Sequence, residues 1–139
     1  KKAMDVAVPL DRLVTLGEHT TPHEVEKAVA TYGYSRYVIV DEENIPVGYV
    51  HLKDVLRVTQ DGDPDGEREI PAKRVHDLVP VHTTTDLEDA LALMRRASKH
   101  LARVRNDEGE TVAVLFLEDI IEELVGEVQD ATERSRRAS

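Results

Sequence analysis

The sequence contains one pattern twice: a short apolar strand that runs directly into an amphipathic helix. In the second copy, residues 112–116 are strand-forming, and in the residues that follow, apolar side chains return every three or four positions. In the first copy, residues 46–51 lead into a similar helical pattern. An aspartate stands near the start of each predicted helix, and the two aspartates, Asp54 and Asp119, are 65 residues apart. This spacing indicates an internal repeat.

The same offset relates residues that lie well before the two motifs. Apolar residues fall on apolar residues in four such pairs: Val14 and Val79, Leu16 and Val81, Val25 and Ala90, Val29 and Met94. Because this period is longer than that of solenoid repeats, we interpret the chain as two copies of one supersecondary unit. A unit of about 60 residues buries too little surface to be comfortably stable alone, so we expect the copies to pack sheet to sheet as one module with pseudo-two-fold symmetry.

Each copy has the predicted order β-α-β-β-α, which indicates an α+β fold. In the first copy we predict strands at 13–16, 37–40 and 46–51, and a closing helix from 52 to about 59. The helix between the first two strands should begin at Thr21, with Pro22 in its first position and Glu24 completing a capping box, and should end at Gly33.

The second copy repeats the plan, with strands at 78–81 and 101–105 and a helix capped by Asp86. We expect the two repeats to cover residues 5–59 and 74–130, with an extended segment at 5–10. Residues 60–73 form a linker because they begin with a polar stretch rich in Gly, Pro and Asp. Residues 131–139 are predicted to be a frayed tail.

Composition excludes several classes of function. With 28 acidic and 18 basic residues the net charge is −10, which argues against nucleic acid as a partner. The absence of Cys excludes disulfides and thiolate chemistry. No apolar run approaches the roughly 20 residues needed to span a bilayer, so we expect this fragment to be soluble. The first residue is Lys1, so we expect the chain to be a piece of a longer protein.

The two strand-helix motifs read G-Y-V-H-L-K-D and A-V-L-F-L-E-D, and the second continues as I-I-E-E-L-V-G-E. These motifs and the repeat order resemble a tandem pair of cystathionine-β-synthase (CBS) domains. More narrowly, they resemble the pair found in the CorC/hemolysin-like and cyclin M-like family of membrane proteins, which is linked to magnesium and cobalt transport. The stretch D-V-A-V-P-L-D-R-L-V near the N-terminus is similar to the segment that joins the family's membrane domain to its CBS pair.

The resemblance implies a regulatory module that senses ATP or AMP, with or without Mg²⁺, and regulates divalent-cation transport or efflux. It implies a homodimer formed through the CBS helices and a covalently attached membrane domain, with the module on the cytoplasmic side. The alternative is a homodimerisation scaffold that needs no ligand. We find no Ser/His/Asp arrangement and no phosphate-binding G-x-x-x-x-G-K-[ST] loop, so we do not expect an enzyme.

The resemblance also implies site residues. The family's nucleotide motif is Gly, two apolar residues, Thr or Ser, two variable residues, then an Asp that binds the ribose. The first copy keeps the Gly and the Asp but has His in the hydroxyl position, whereas the second keeps only the Asp. The predicted nucleotide-binding residues are Val14, Leu16, Arg36, His51 and Asp54 in the first repeat, and Val81, Thr83, Thr84 and Asp119 in the second. The first crevice should bind better, because Phe116 adds no donor to the second.

Some of these residues have simpler interpretations. Asp54 and Asp119 stand near helix N-termini, where the helix dipole stabilises an acid by about 0.3–1 kcal/mol without any ligand. The histidines show no metal-ligand spacing, and no metal site is predicted. Arg103 and Arg105 share one side of a strand, where they can hold phosphate or pair with Asp107, Glu108 or the acidic helix of a second subunit.

Overall fold

The structure, a computed structural model, describes residues 1–138, and its side chains are described through residue 134. The strands are β1 (Val8–Pro9), β2 (Thr15–Gly17), β3 (Arg36–Val40), β4 (Pro46–His51), β5 (Val79–His82), β6 (Leu101–Arg105) and β7 (Thr111–Phe116). The helices are α1 (Ala3–Val6), α2 (Pro22–Tyr32), α3 (Leu52–Gln60), α4 (Leu87–Ala97) and α5 (Leu117–Ala138). Both repeats have the order β-α-β-β-α, and the α+β fold class is confirmed.

The chain forms two compact units, and one of them combines segments from both ends of the sequence. We call Arg12–Leu78 the central unit. The terminal unit combines Lys1–Asp11 with the chain from Val79 onward. The first residues of the chain therefore belong with the second repeat.

The central unit is a three-stranded sheet in the order β2-β3-β4 with helices α2 and α3. β2 runs parallel to β3, and β3 runs antiparallel to β4. The core is formed by buried apolar side chains from both helices and from β3 and β4, among them Val25, Tyr37, Ile39, Val50 and Val55. Alternate residues of β3 belong to this core, as the two-residue period of a strand requires.

The terminal unit is a four-stranded sheet in the order β1-β7-β6-β5. β1 pairs antiparallel with β7, so that Val8 lies opposite Val114. The side chain of Ala3 is fully buried in the core of this unit, together with Met94, Leu115 and other apolar residues. The prediction of an extended segment at 5–10 was therefore wrong in part, because α1 precedes the short β1.

Helix α2 begins and ends as its sequence predicts. The Thr21 hydroxyl accepts a hydrogen bond from the Glu24 N–H at 3.3 Å, and Gly33 ends the helix with φ 76°. The Glu24 carboxylate, however, accepts its bond from the Thr20 hydroxyl at 2.8 Å instead of completing a capping box. In the predicted linker, the Gly66 carbonyl accepts the His23 N–H at 3.0 Å, which ties the linker to the first turn of α2.

Two predictions about the later helices were wrong. Asp86 precedes α4 but makes no side-chain capping bond. Its carboxylate pairs with Lys2 at 2.5 Å, while the carbonyl of Lys1 accepts the Leu87 N–H at 3.1 Å. The N-terminal segment thus supplies the cap that the local sequence was expected to supply. The final helix also continues through Ala138, whereas residues 131–139 were predicted to be a frayed tail; Ser139 lies outside the described residues.

Gly48 lies where the chain crosses close to strand β4. A Cβ atom at this position would lie 2.5 Å from Val75 Cγ1 and 2.9 Å from the carbonyl oxygen of His76. The backbone of His76 forms an antiparallel bridge with Tyr49, which holds it against the strand. A side chain at position 48 would therefore push this segment away from β4.

We expect Gly48→Ala to destabilise the protein by about 1–3 kcal/mol, because overpacking forces backbone and side chains apart. Gly17→Ala is the matched control, since a Cβ atom at Gly17 in β2 would meet nothing within 4 Å. Urea unfolding followed by circular dichroism measures both variants. Equal midpoints for the two variants would contradict the assignment.

Candidate functional site

The central crevice is the name used here for the predicted site formed by Val14, Leu16, Arg36, His51 and Asp54. Arg36 and His51 are opposite each other at the end of the β3–β4 pair, and α3 begins at the next residue. Val14 and Leu16 are half-buried and pack against the central core. The structure therefore brings the polar members of this predicted set together.

His51 is the N-cap of α3. Its Nδ1 atom accepts the Lys53 N–H at 2.9 Å, and its own N–H donates to Asp54 Oδ2 at 3.0 Å. Because a backbone N–H can only donate, Nδ1 of His51 must be unprotonated while this bond exists. The two bonds form a capping box in which His takes the place of Ser or Thr. The H-x-x-D spacing in the sequence was the signal for this role.

Asp54 has a second partner that the sequence did not reveal. Oδ2 of Asp54 lies 2.8 Å from Nε2 of His76, and only 8% of the residue is exposed. The His76 ring stacks on Tyr49, with ring centroids 5.0 Å apart and planes at 27°. The carboxylate in the ribose position of the first motif is thus already bound by the chain itself.

The corresponding predicted set in the second repeat is Val81, Asp119, Thr83 and Thr84, with Val79 as a further apolar neighbour. We call the junction of β7 and α5, which carries Asp119, the terminal crevice. In the sheet register, Val79 lies opposite Ala102, which in turn lies opposite Leu115 near the end of β7. The start of β5 is therefore close to the strand-helix junction that precedes Asp119. Val81 is 5% exposed and belongs to the core, so it is not available as a crevice wall.

Thr83 and Thr84 follow the opposite end of β5, so the structure does not bring them to Asp119. The Thr84 hydroxyl lies 2.7 Å from Nδ1 of His82, and the Thr83 carbonyl accepts the Met4 N–H at 3.2 Å. Nε2 of His82 lies 2.7 Å from Asp107. Asp107, which was an expected partner of the strand arginines, is therefore bound by a histidine.

Arg103 and Arg105 are both half-buried on β6. Arg103 lies opposite Pro80 and Val114, and Arg105 lies opposite His82 and Thr111. As predicted, the two arginines alternate with buried Val104 and share one side of the strand.

Asp119 occupies in α5 the same position that Asp54 occupies in α3, but its surroundings differ. Asp119 is partly buried, and among the residues that the structure describes, no hydrogen bond reaches its side chain. Burial raises the pKa of the Asp119 carboxyl, and the nearby charges of Glu122 and Glu118 raise it further. Asp119 is therefore a partly buried acid to which no side chain or N–H of the described residues donates a hydrogen bond.

Residues 99 and 100 lie next to the start of α5. The His100 carbonyl accepts the N–H of Leu117, the first residue of α5, at 2.9 Å. Lys99 is half-buried, and His100 is exposed. Sequence reasoning missed both residues, although the 65-residue offset places His100 on Ser35, whose carbonyl accepts the Leu52 N–H in the same way.

Neither a metal site nor a membrane span accompanies these crevices in the described part of the chain. No group of three or more His, Cys, Asp or Glu side chains is arranged to hold a metal ion there. No helix in residues 1–138 is both long and apolar enough to cross a bilayer.

Comparison with known proteins identifies the repeats. The CBS domain family matches residues 4–61 and 68–126. Uncharacterized protein Rv1841c of Mycobacterium tuberculosis (strain ATCC 25618 / H37Rv) is 41% identical over 135 residues, which are 94% of this chain and 38% of that protein. UPF0053 protein YhdP of Bacillus subtilis (strain 168) is 28% identical over 130 residues, which are 92% of this chain and 29% of that protein. The chain thus spans less than two-fifths of these relatives.

A solved structure gives the same result. The CBS domain of the bacterial CNNM/CorC family Mg²⁺ transporter in complex with ATP superimposes with a TM-score of 0.79 at 27% identity. The match covers 91% of this chain and 88% of that one. The expected likeness to CorC-type CBS pairs is confirmed, and because the family matches most of the sequence, this chain belongs to the CBS domain family as a tandem pair.

Proposed function

We propose that this CBS pair is a non-catalytic regulatory module that binds an adenosine nucleotide in the terminal crevice and controls an attached membrane domain. The observation that carries the proposal is the partly buried Asp119 carboxylate, to which no described residue donates a hydrogen bond. An ionised carboxylate can accept two hydrogen bonds from the vicinal hydroxyls of a ribose. A similar CBS domain of a CNNM/CorC family transporter was solved in complex with ATP, which supports the same ligand class here.

The phosphate side of the terminal crevice requires positive charge. Lys99 and His100 lie next to the first turn of α5, where backbone N–H groups also favour an anion. These residues replace Thr83 and Thr84, which follow the far end of β5. Because the chain carries a net charge of −10, we expect Mg²⁺ to strengthen the binding of ATP by screening its phosphates.

The N-terminal segment supports a regulatory role. β1 pairs with β7, and β7 runs directly into α5 and Asp119. A nucleotide at Asp119 would thus act on the strand to which the first residues of the chain are attached. In a longer protein with a membrane domain before Lys1, this segment would carry the signal to divalent-cation transport. The module would then face the cytoplasm, where ATP is available.

The two motif acids allow a direct test by isothermal titration with ATP, with and without Mg²⁺. We expect Asp119→Ala to weaken ATP binding by at least about tenfold, since the ribose loses its acceptor. Asp54→Ala is the matched control, because it removes the equivalent acid of the other repeat, and it should leave the affinity of the terminal crevice unchanged. Binding of ATP to Asp119→Ala with the affinity of the parent would rule out the assignment.

The stability of the protein should also depend on the ionisation of the partly buried Asp119 carboxyl. Because the folded-state pKa of Asp119 is raised, its proton stabilises the fold at low pH, and this stabilisation is lost as the pH rises through the folded-state value. We therefore expect Asp119→Asn to raise the thermal unfolding midpoint at pH 7. The difference should shrink as the pH falls toward about 4, the usual range for an unfolded Asp.

Asp54→Asn is the contrasting variant in this thermal experiment. It weakens the acceptor for His51 and His76, so we expect a loss of about 1–3 kcal/mol at pH 7. A lower midpoint for Asp119→Asn at pH 7 would mean that the helix dipole outweighs burial at this position.

The second candidate function is a homodimerisation scaffold, and one observation favours it. Ile121, Val125 and Val128 form a stripe along α5 with 42%, 50% and 66% of each residue exposed. Their spacing of four and three residues places them on one face of the helix. We propose that this stripe packs against a second copy of the chain, which is compatible with nucleotide binding.

We expect the double substitution Ile121→Asp and Val125→Asp to convert a dimer into a monomer in sedimentation velocity, because it places charge in an apolar interface. Ile45→Asp is the control, since Ile45 is similarly exposed (38%) but lies in the turn before β4. A parent that is strictly monomeric at high concentration would exclude the scaffold.

A further inference from the structure

We propose that His76 decides which of the two crevices is open to a nucleotide, because it occupies the carboxylate of Asp54. This inference rests on the proposed function, since it concerns the crevice that the nucleotide enters. It assigns to His76 a role that its position in the sequence does not indicate.

Three contacts hold His76 in place. Its backbone exchanges two hydrogen bonds with Tyr49, at 2.8 and 2.9 Å. Its ring stacks on the ring of Tyr49, and its Nε2 lies 2.8 Å from Asp54 Oδ2. The backbone bridge fixes the position of His76, and the stacking on Tyr49 holds its imidazole beside Asp54.

Asp54 is therefore closed to a ribose for two reasons. Oδ2 already accepts the His51 N–H and faces His76, so one carboxylate oxygen is fully used. Only 8% of the residue is exposed, which leaves little surface for two ribose hydroxyls to approach. A nucleotide would first have to displace the imidazole.

The terminal unit lacks this arrangement at the matching position. The 65-residue offset places Tyr49 on Val114, and the residue opposite Val114 is Val8. Val8 has no polar side-chain atom, so it cannot bind Asp119 as His76 binds Asp54. Gly48 leaves room for the chain at His76, whereas Ala113 stands in the same motif position of the second repeat and faces Pro9. The two repeats thus differ in what lies along their closing strand.

The test first removes nucleotide binding at the terminal crevice with Asp119→Ala and then adds a substitution of His76. We expect isothermal titration with ATP and Mg²⁺ to give one nucleotide per chain for the parent and greatly weakened binding for Asp119→Ala. Adding His76→Ala to Asp119→Ala should restore binding by at least about tenfold, and adding Asp54→Ala as a third change should abolish it again. His19→Ala is the matched control, because His19 also pairs with an acid in the central unit, Glu69 at 2.6 Å, but outside the crevice.

His76→Ser is the second variant if His76→Ala does not fold by circular dichroism. Two results would overturn the role of His76 and leave the proposed function intact. One is a parent chain that binds two nucleotides. The other is a folded double variant that does not bind ATP although Asp119→Ala alone has lost binding. A parent that binds no ATP would overturn the proposed function and, with it, this inference.

Discussion

In both units, the strand that precedes the closing helix needs a hydrogen-bond partner along its outer edge, and the rest of the unit depends on it. Unbonded peptide groups on the edges of β4 and β7 would be costly once buried, so each strand needs a further partner. β4 receives the backbone of His76, and β7 receives β1 from the start of the chain. The pairing of β1 with β7 explains why the first eleven residues belong to the terminal unit.

The same constraint makes the two motif acids different. Asp54 and Asp119 occupy equivalent helix positions, and the helix dipole favours an acid at both. The segment on β4 brings an imidazole to Asp54, whereas the segment on β7 brings an aliphatic side chain, Val8. One acid is therefore part of a hydrogen-bonded cluster, whereas the other has no hydrogen-bond partner among the described residues, and its partial burial raises the pKa of its carboxyl.

This asymmetry distinguishes the two repeats structurally. In the central unit, Asp54 is bound by residues of the same unit, and the motif residues Gly48, His51 and Asp54 are explained by packing around Gly48 and by the cap of α3. The terminal unit combines the open acid with the attachment of the N-terminal segment, whose Lys2 also pairs with Asp86 at the start of α4. Under the proposed function, nucleotide binding and the attachment of the N-terminal segment would therefore fall in the same unit.

The sequence by itself determined the repeat, the β-α-β-β-α order and the ends of α2, because periodicity and caps such as Thr21 and Gly33 act within a few residues. It also placed Arg36, His51 and Asp54 in one predicted site. The structure brings them close together because the β3–β4 hairpin fixes the register. Only the tertiary structure decided that His76 binds Asp54, that Lys2 binds Asp86, and that Thr84 lies far along the sheet from Asp119. The partners in the two bonds are 22 and 84 residues apart, and no local pattern encodes a contact between residues that are brought together only when the sheet edges are filled.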